Sequence, residues 1–415
     1  GVLKSLRDLG NTVIVVEHDE DIMKEADHII DIGPLAGALG GHVVGEGPYE
    51  TFTKLDTLTA HYLTHQKQIE IPQKRRVSKH SIKFKGARLH NLKNVEVQIP
   101  LNAITAVTGV SGSGKSTLVS DIIHQGLLHH SGGYQGRFKY LDELSGDLHK
   151  IKAVEFVDQN PIGRSSRSNP VTYIKAYDDI RSLYAAQPQS KVFGLQPKHF
   201  SFNVEAGRCE NCKGEGTVTI EMQFMADVVL ECEECKGKRF KSEILEVRVN
   251  ETSIYDLLQL TVDEAMLFFN QNGNEKIAQK LSLLAQVGLG YITLGQSSST
   301  LSGGEAQRIK LASFLSKGNQ SSPTLFIFDE PTTGLHFEDV RTLKKAFDAL
   351  IDNGHTIILI EHHLDLVKGA DYIIELGPVG GTEGGYLLAT GTPEEIADSD
   401  ASVTGSYLKE KLLEA

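Results

Sequence analysis

No apolar run in this sequence approaches a membrane span. The longest, such as Thr356-Ile-Ile-Leu-Ile360, fall far short of the roughly 20 residues a spanning helix needs. Cysteine is scarce too: all four stand in two C-x-x-C pairs. In a cytosolic chain that usage excludes a disulfide framework and points to a metal. Basic charge is not in excess either, with 42 Lys+Arg against 54 Asp+Glu and a net charge of −12. This argues against a uniformly basic nucleic-acid binder but leaves local faces open. No secretory segment opens the chain. Gly1 stands in what reads as the middle of a domain, so a fragment of a longer protein is expected. What is present is ordinary for a soluble globular protein, 40% hydrophobic and 23% charged. At 415 residues, two or three domains are expected.

The sequence is organised around Gly109-Val-Ser-Gly-Ser-Gly-Lys-Ser-Thr117, which matches G-x-x-x-x-G-K-[ST]. The apolar run Ile104–Val107 leads in, and Leu118, Val119, Ile122 and Ile123 follow at helical spacing. Gly109, Gly112 and Gly114 free the backbone to turn its N–H groups onto phosphate oxygens, and the next helix points its positive end at the same charge. In this pattern Lys115 reaches the β- and γ-phosphates of ATP, and the hydroxyl of Ser116, backed by Thr117, serves Mg²⁺.

Two further stretches complete a nucleotide site. Leu325-Phe-Ile-Phe-Asp-Glu330 is an apolar strand ending in two carboxylates, as suits a strand buried on both faces of a parallel sheet. Asp329 is expected to hold Mg²⁺ and Glu330 to polarise the attacking water. Between them lies Leu301-Ser-Gly-Gly-Glu-Ala-Gln307. There Ser302, Gly303 and Gly304 offer a hydroxyl and free amides at a helix start.

The chain also repeats itself. Thr12–His18 and Ala26–Pro34 match Thr356–His362 and Ala370–Pro378 at an offset of 344 without a gap. Gly37, Gly40 and Gly41 fall on Gly381, Gly384 and Gly385. Such a repeat implies two copies of one domain type, only the tail of the first being present. The expected division is 1–65, the tail of a first ATPase domain, then 66–80, a surface linker rich in Lys, Arg and Gln. A second ATPase domain follows at 81–160 and 286–415, interrupted by an insertion at 161–285. Strands are expected at 81–85, 95–99 and 154–157, with helices from Tyr173 to Ala186 and Glu275 to Val287.

The insertion holds the cysteines. Cys209-Glu-Asn-Cys212 and Cys232-Glu-Glu-Cys235 are separated by nineteen residues, inside the C-x2-C-x15–20-C-x2-C zinc pattern. Four thiolates close a tetrahedral site, so Zn²⁺ there would be structural, in a module spanning about 205–241. Residues 161–241 carry twelve Lys/Arg against ten Asp/Glu, the relatively basic part of an acidic chain. Arg164, Arg167, Arg208, Lys213, Lys236, Lys238, Arg239 and Lys241 are candidates for DNA phosphate contacts, which fix position and not sequence.

Together the nucleotide motifs resemble the ABC ATPase family, whose signature is LSGGQ-like. The resemblance supplies a Q-loop at Gln159, a D-loop after Pro331–His336 and a switch histidine at His362. It also implies that Ser302 acts on nucleotide held by another domain. The chain further resembles the UvrA component of the bacterial UvrABC excinuclease, through Asp158–Pro170, Phe200–Val204, Glu221–Phe224, Cys235–Arg239, Leu301–Arg308 and Asp329–His336. That resemblance covers the whole chain but only the C-terminal part of such a protein. It implies an α/β ABC-type P-loop ATPase with a helical signature subdomain and an inserted zinc module, preceded by the tail of a first ABC domain. It also implies a cytoplasmic homodimer that recognises distorted duplex DNA with ATP, hands the lesion to a UvrB-like partner through regions missing here, and does not cut DNA. A paralogue acting in tolerance of DNA-binding drugs shares every motif. A transporter ATPase shares the nucleotide motifs but has no use for the zinc insertion.

Overall fold

The computed structural model describes residues 1–132, 138–163, 168–222, 227–316 and 322–413. Its centre is a six-stranded sheet of β1 Ile104–Gly109, β2 Ala153–Val157, β3 Thr324–Asp329, β4 Thr356–Ile360, β5 Tyr372–Gly377 and β6 Tyr386–Gly391. The strand order is β6-β5-β1-β4-β3-β2. The five strands from β5 to β2 run parallel, and β6 adds an antiparallel edge.

Side-chain alternation explains why β3 and β4 read as unbroken apolar runs. Leu325, Ile327, Ile358 and Ile360 point into one core, shared with Leu118, Val119, Ile122 and Ile123 behind the phosphate loop. That core is closed by an antiparallel sheet of Ser81–Ala87, Val95–Pro100 and Glu143–Gly146. Phe326, Phe328, Ile357 and Leu359 point into the other core, against helices Gly303–Leu315 and Phe337–Asp352 and the helices of residues 170–286. The insertion therefore shares a continuous core with the sheet and is not a detached module.

Residues 29–47 reproduce the β5–β6 hairpin. Ile29–Gly33 pairs with His42–Gly47 in the register that Tyr372–Gly377 makes with Tyr386–Gly391, with the irregularity at the same offset, after Asp31 and after Glu375. Their surroundings differ. β5 is buried between β1 and β6, whereas Ile30 and Ile32 are 60% and 59% exposed. Thr12–Val16, equivalent to β4, forms no strand at all. A strand of this kind needs neighbours on both edges, and none of the described residues supplies them.

Two other expectations shift. The helix expected from Tyr173 to Ala186 is two helices, Pro170–Tyr173 and Tyr177–Ala185, broken where Lys175 takes a left-handed φ of 58°. The helix after the phosphate loop begins as a π-helical stretch, Thr117–His124, before Gln125–Ser131 turns α. Residues 66–80 carry no helix or strand, yet they do not hang free. Arg75 binds Glu394 and the Ala370 carbonyl, Arg76 binds Asp348 and Asp371, and Ile69 is buried.

Candidate functional site: a phosphate loop and a four-cysteine cluster

The phosphate loop leaves the C-terminal end of β1, where open α/β sheets bind ligands. Gly109, Gly112 and Gly114 have φ of 130°, 75° and 102°, conformations that a side chain would strain. At Gly109 a Cβ would also fall 2.0 Å from the Leu376 carbonyl oxygen. Two neighbouring loops grip the turn. The Asn91 side-chain amide donates to the Gly112 carbonyl (2.9 Å) and the Gly381 carbonyl (3.1 Å), and the Gly381 N–H donates to Gly112 (3.0 Å). Lys115 is buried, its ammonium bonded to the carbonyls of Gly109 (2.9 Å) and Val110 (3.0 Å). Burial holds its pKa below the usual lysine value. Ser116 is exposed beside it and Thr117 half-buried.

Asp329 ends β3. Burial and the neighbouring Glu330 charge push its carboxyl above the usual range. The Asp329 and Glu330 charges both act on Lys115, and the oxygen donors there that would hold Mg²⁺ are Asp329 and Ser116. Glu330 has φ +43°. Its N–H donates to Ile360 O (2.9 Å), and its carbonyl accepts from Gln159 Nε2 (3.2 Å) and the Thr333 hydroxyl (3.0 Å). Its carboxylate lies 3.5 Å from His362 Nε2, and burial lowers the His362 pKa. The structure thus brings Gln159, Glu330 and His362 together. Glu361, to which the sequence analysis gave no role, is buried and organises the corner. It accepts from the Thr332 N–H (3.1 Å), the His362 N–H (2.6 Å) and the His363 N–H (2.9 Å).

Ser302 is the N-cap of the helix Gly303–Leu315. Its hydroxyl accepts from the Glu305 N–H (3.2 Å), and the Glu305 carboxylate accepts from the Ser302 N–H (2.8 Å), a capping box. Gly303 packs on Gln159, where a Cβ would stand 3.0 Å from its side chain, and Gly304 faces Thr333. Gln307 ties this helix to the ends of β2 and β3, donating to Val157 O (2.8 Å) and Asp329 O (3.4 Å).

The four cysteine sulfurs lie within 4.8 Å of one another. Cys209 and Cys232 are 3.9 Å apart, and Cys212 and Cys235 3.6 Å. Tetrahedral Zn–S bonds of about 2.3 Å require edges of about 3.8 Å, so the residues fit Zn²⁺. Lys213 and Lys236 turn left-handed (φ 51° and 49°) ahead of Gly214 and Gly237, as the two knuckle turns require. Burial works to raise the Cys232 pKa, but hydrogen bonds from the Cys235 N–H and thiol, the Glu234 N–H and the Cys209 thiol outweigh it and bring it to about 7.

Of the basic candidates, Arg164 and Arg167 lie outside the described residues. Arg239 is turned inward, donating to Gly295 O (3.0 Å) and lying over the Phe202 ring. Lys241 pairs with Glu210 at 2.6 Å, and Arg208 is largely covered beside Asn203 and Glu205. Lys213, Lys236 and Lys238 are exposed. The sequence reading missed a neighbour of theirs. Hairpin Thr217–Ile220/Val228–Glu231 leaves Val218, Ile220, Val229 and Leu230 exposed next to the cysteine cluster. A run of β-branched residues beside a polar knuckle was the available signal.

Comparison with known proteins agrees with this geometry. A sequence profile described as ABC transporter matches residues 209–333. UvrABC system protein A of Staphylococcus aureus (strain COL) is 50% identical over 412 residues, 99% of this chain and 43% of that protein. The same protein of Clostridium perfringens (strain 13 / Type A) is 52% identical over 415 residues, 99% of this chain and 44% of that one. A crystal structure of UvrA2 from Deinococcus radiodurans superposes with a TM-score of 0.90 at 43% identity, over 99% of this chain and 49% of that one. No described helix is long and apolar enough to cross a membrane. With half its residues shared along practically its full length, the chain belongs among the UvrABC system protein A sequences and carries their ABC ATPase fold, over a stretch that spans less than half of their length.

Proposed function

We propose that this chain binds and hydrolyses ATP and uses it to bind distorted duplex DNA, as the damage-recognition component of nucleotide excision repair. The observation that carries the reading is one juxtaposition. Gln159, Glu330 and His362 converge beside Lys115, and the chain between Gln159 and Ser302 holds a four-cysteine cluster. In the proposed reaction Lys115 and the turned amides of 109–114 would hold the phosphates, Ser116 and Asp329 would hold Mg²⁺, and Glu330 would orient water with Gln159 and His362 around it. Zn²⁺ on Cys209, Cys212, Cys232 and Cys235 would fix the insertion's shape and supply no chemistry. The division into a first-domain tail (1–65), a linker (66–80) and a second ATPase domain with an insertion (161–285) belongs to the same proposal. So do a cytoplasmic location, a homodimer that loads a UvrB-like partner, and the absence of nuclease activity.

The repeat supports Ser302 serving nucleotide on another phosphate loop. Gly381 borders the phosphate loop of its own copy through Gly112. At the same offset Gly37 borders Tyr291, with a Cβ 3.3 Å from the Tyr291 carbonyl oxygen. The Tyr291 hydroxyl donates to Glu305 at 2.6 Å, and Glu305 caps Ser302. A phosphate loop set beside Gly37 as Gly112 is set beside Gly381 would face Ser302.

The test is binding of the chain to a duplex carrying one bulky, helix-distorting adduct and to the same duplex intact, with and without ATP–Mg²⁺. The expected result is tighter binding to the adduct, modulated by nucleotide. Replacing Lys213, Lys236 and Lys238 with Glu should weaken binding to both duplexes and flatten the salt dependence, because fewer counterions are released. Equal affinity for both duplexes under every nucleotide condition would overturn the damage-recognition reading. An unchanged salt slope would move the DNA surface elsewhere.

A further inference from the structure

The short helix Leu58–Leu63 lies in the segment assigned to the first-domain tail, yet it is buried against the second ATPase copy. Its Tyr62 ring stacks on Phe337, centroids 5.2 Å apart and planes 18° apart, and its hydroxyl donates to Glu338 at 2.6 Å. Thr59 Oγ1 meets His336 Nε2 at 3.1 Å, and the Tyr62 and His336 rings meet edge to face. His336, Phe337 and Glu338 close the segment that starts at Glu330. Phe337 in turn meets the ring of His363, at 6.1 Å and 74°. His363 and His362 both donate their N–H to Glu361, whose other oxygen holds Thr332, two residues after Glu330. Packed rings and hydrogen bonds therefore run without a break from Tyr62 to His362, whose ring lies 3.5 Å from the Glu330 carboxylate.

This burial is not a property of the repeated fold. The helix Val403–Leu413 is its counterpart: Thr57 accepts from the Ala60 N–H as Ser402 accepts from the Gly405 N–H, so the two helices align at an offset of 345, and Tyr62 and Leu63 match Tyr407 and Leu408. Leu63 and Leu408 are both buried, but Tyr62 is 6% exposed and Tyr407 59%. The tyrosine is covered in one copy and open in the other, so the contact with His336–Glu338 is what buries it.

We infer that Tyr62, assisted by Thr59, is a positioning residue for hydrolysis at the Lys115 site, holding the 330–338 segment and the His362–His363 corner in the spacing that Glu330 needs. This rests on the ATPase reading above. A group that positions a corner several residues from the phosphates acts on turnover and not on nucleotide affinity, so kcat and KM separate.

Steady-state ATP hydrolysis by the chain tests it, with Glu330→Gln measured alongside. Tyr62→Ala is expected to lower kcat roughly tenfold with KM for ATP within about twofold of the parent. Tyr62→Phe keeps the stack on Phe337 and is expected to restore most of the rate. A Tyr62→Ala kcat equal to the parent's overturns the inference. So does a joint loss of kcat and nucleotide binding that Tyr62→Phe does not rescue. If Tyr62→Ala does not fold, Thr59→Val decides: a kcat reduced several-fold at unchanged KM supports the inference, and a parental kcat overturns it. A parent without Glu330-dependent turnover removes the ATPase reading and this inference together. A parent with such turnover that ignores both positions removes this inference alone.

Discussion

Glu330 occupies a left-handed backbone position, φ +43°, which costs a non-glycine residue roughly 1–2 kcal/mol. The conformation persists because it is over-determined: N–H to Ile360, carbonyl to Gln159 and Thr333. Strain held this firmly next to a phosphate loop aims the carboxylate at a fixed point. Replacing Glu330 by Gln should therefore leave ATP binding intact while turnover falls roughly 10²-fold or more, the scale of a lost group that polarises water. Replacing Lys115 by Ala should abolish nucleotide binding itself. Fluorescent-nucleotide titration and phosphate release separate the two, and parental turnover in the Glu330 variant would remove its assignment. These residues were legible in the sequence because phosphate chemistry ties residue type to spacing. Arg239 was not. Its charge suggested a phosphate contact, but its hydrogen bond to Gly295 and its place over Phe202 depend on partners remote in sequence.

Among the elements, the strands were the most readable. Continuous apolar runs in β3 and β4 and alternation in Ser81–Ala87 follow directly from whether a sheet is covered on two faces or one. The linker was the least readable. Arg75 and Arg76 strap residues 66–80 to Glu394, Asp371 and Asp348, and composition carries no trace of acceptors so remote in the chain. The cysteine cluster lies between. Its spacing announced a metal, and the sulfur separations fit one. The purified chain should hold one Zn²⁺, measurable by metal analysis. Cys232→Ala should lose it and loosen the insertion to proteolysis. Nucleotide binding should survive, because the cysteines and the phosphate loop sit on different elements. Metal content near zero after growth with ample zinc would contradict the assignment.

Across the molecule, the repeat sets what is complete and what is open. One hairpin, β5–β6, is completed by β1, and its twin at 29–47 leaves Ile30, Ile32 and Val43 exposed. Ser302 caps its helix on an exposed face while Lys115 sits in a loop gripped from its own side by Asn91 and Gly381. The reading that joins these features is an ABC ATPase whose nucleotide sites are shared between two domains, with Ser302 acting on a phosphate loop other than the one holding Lys115. Its sharpest check is the hydrolysis rate per chain as a function of protein concentration, with the oligomeric state followed by sedimentation. Turnover in the monomer should be slow. The rate should rise as chains pair head to tail, or when a chain carrying the regions its relatives have outside this stretch is added. Mixed Ser302→Arg and Lys115→Ala variants should then regain part of the lost activity. A high, Glu330-dependent rate that is independent of concentration in a demonstrated monomer would contradict shared sites.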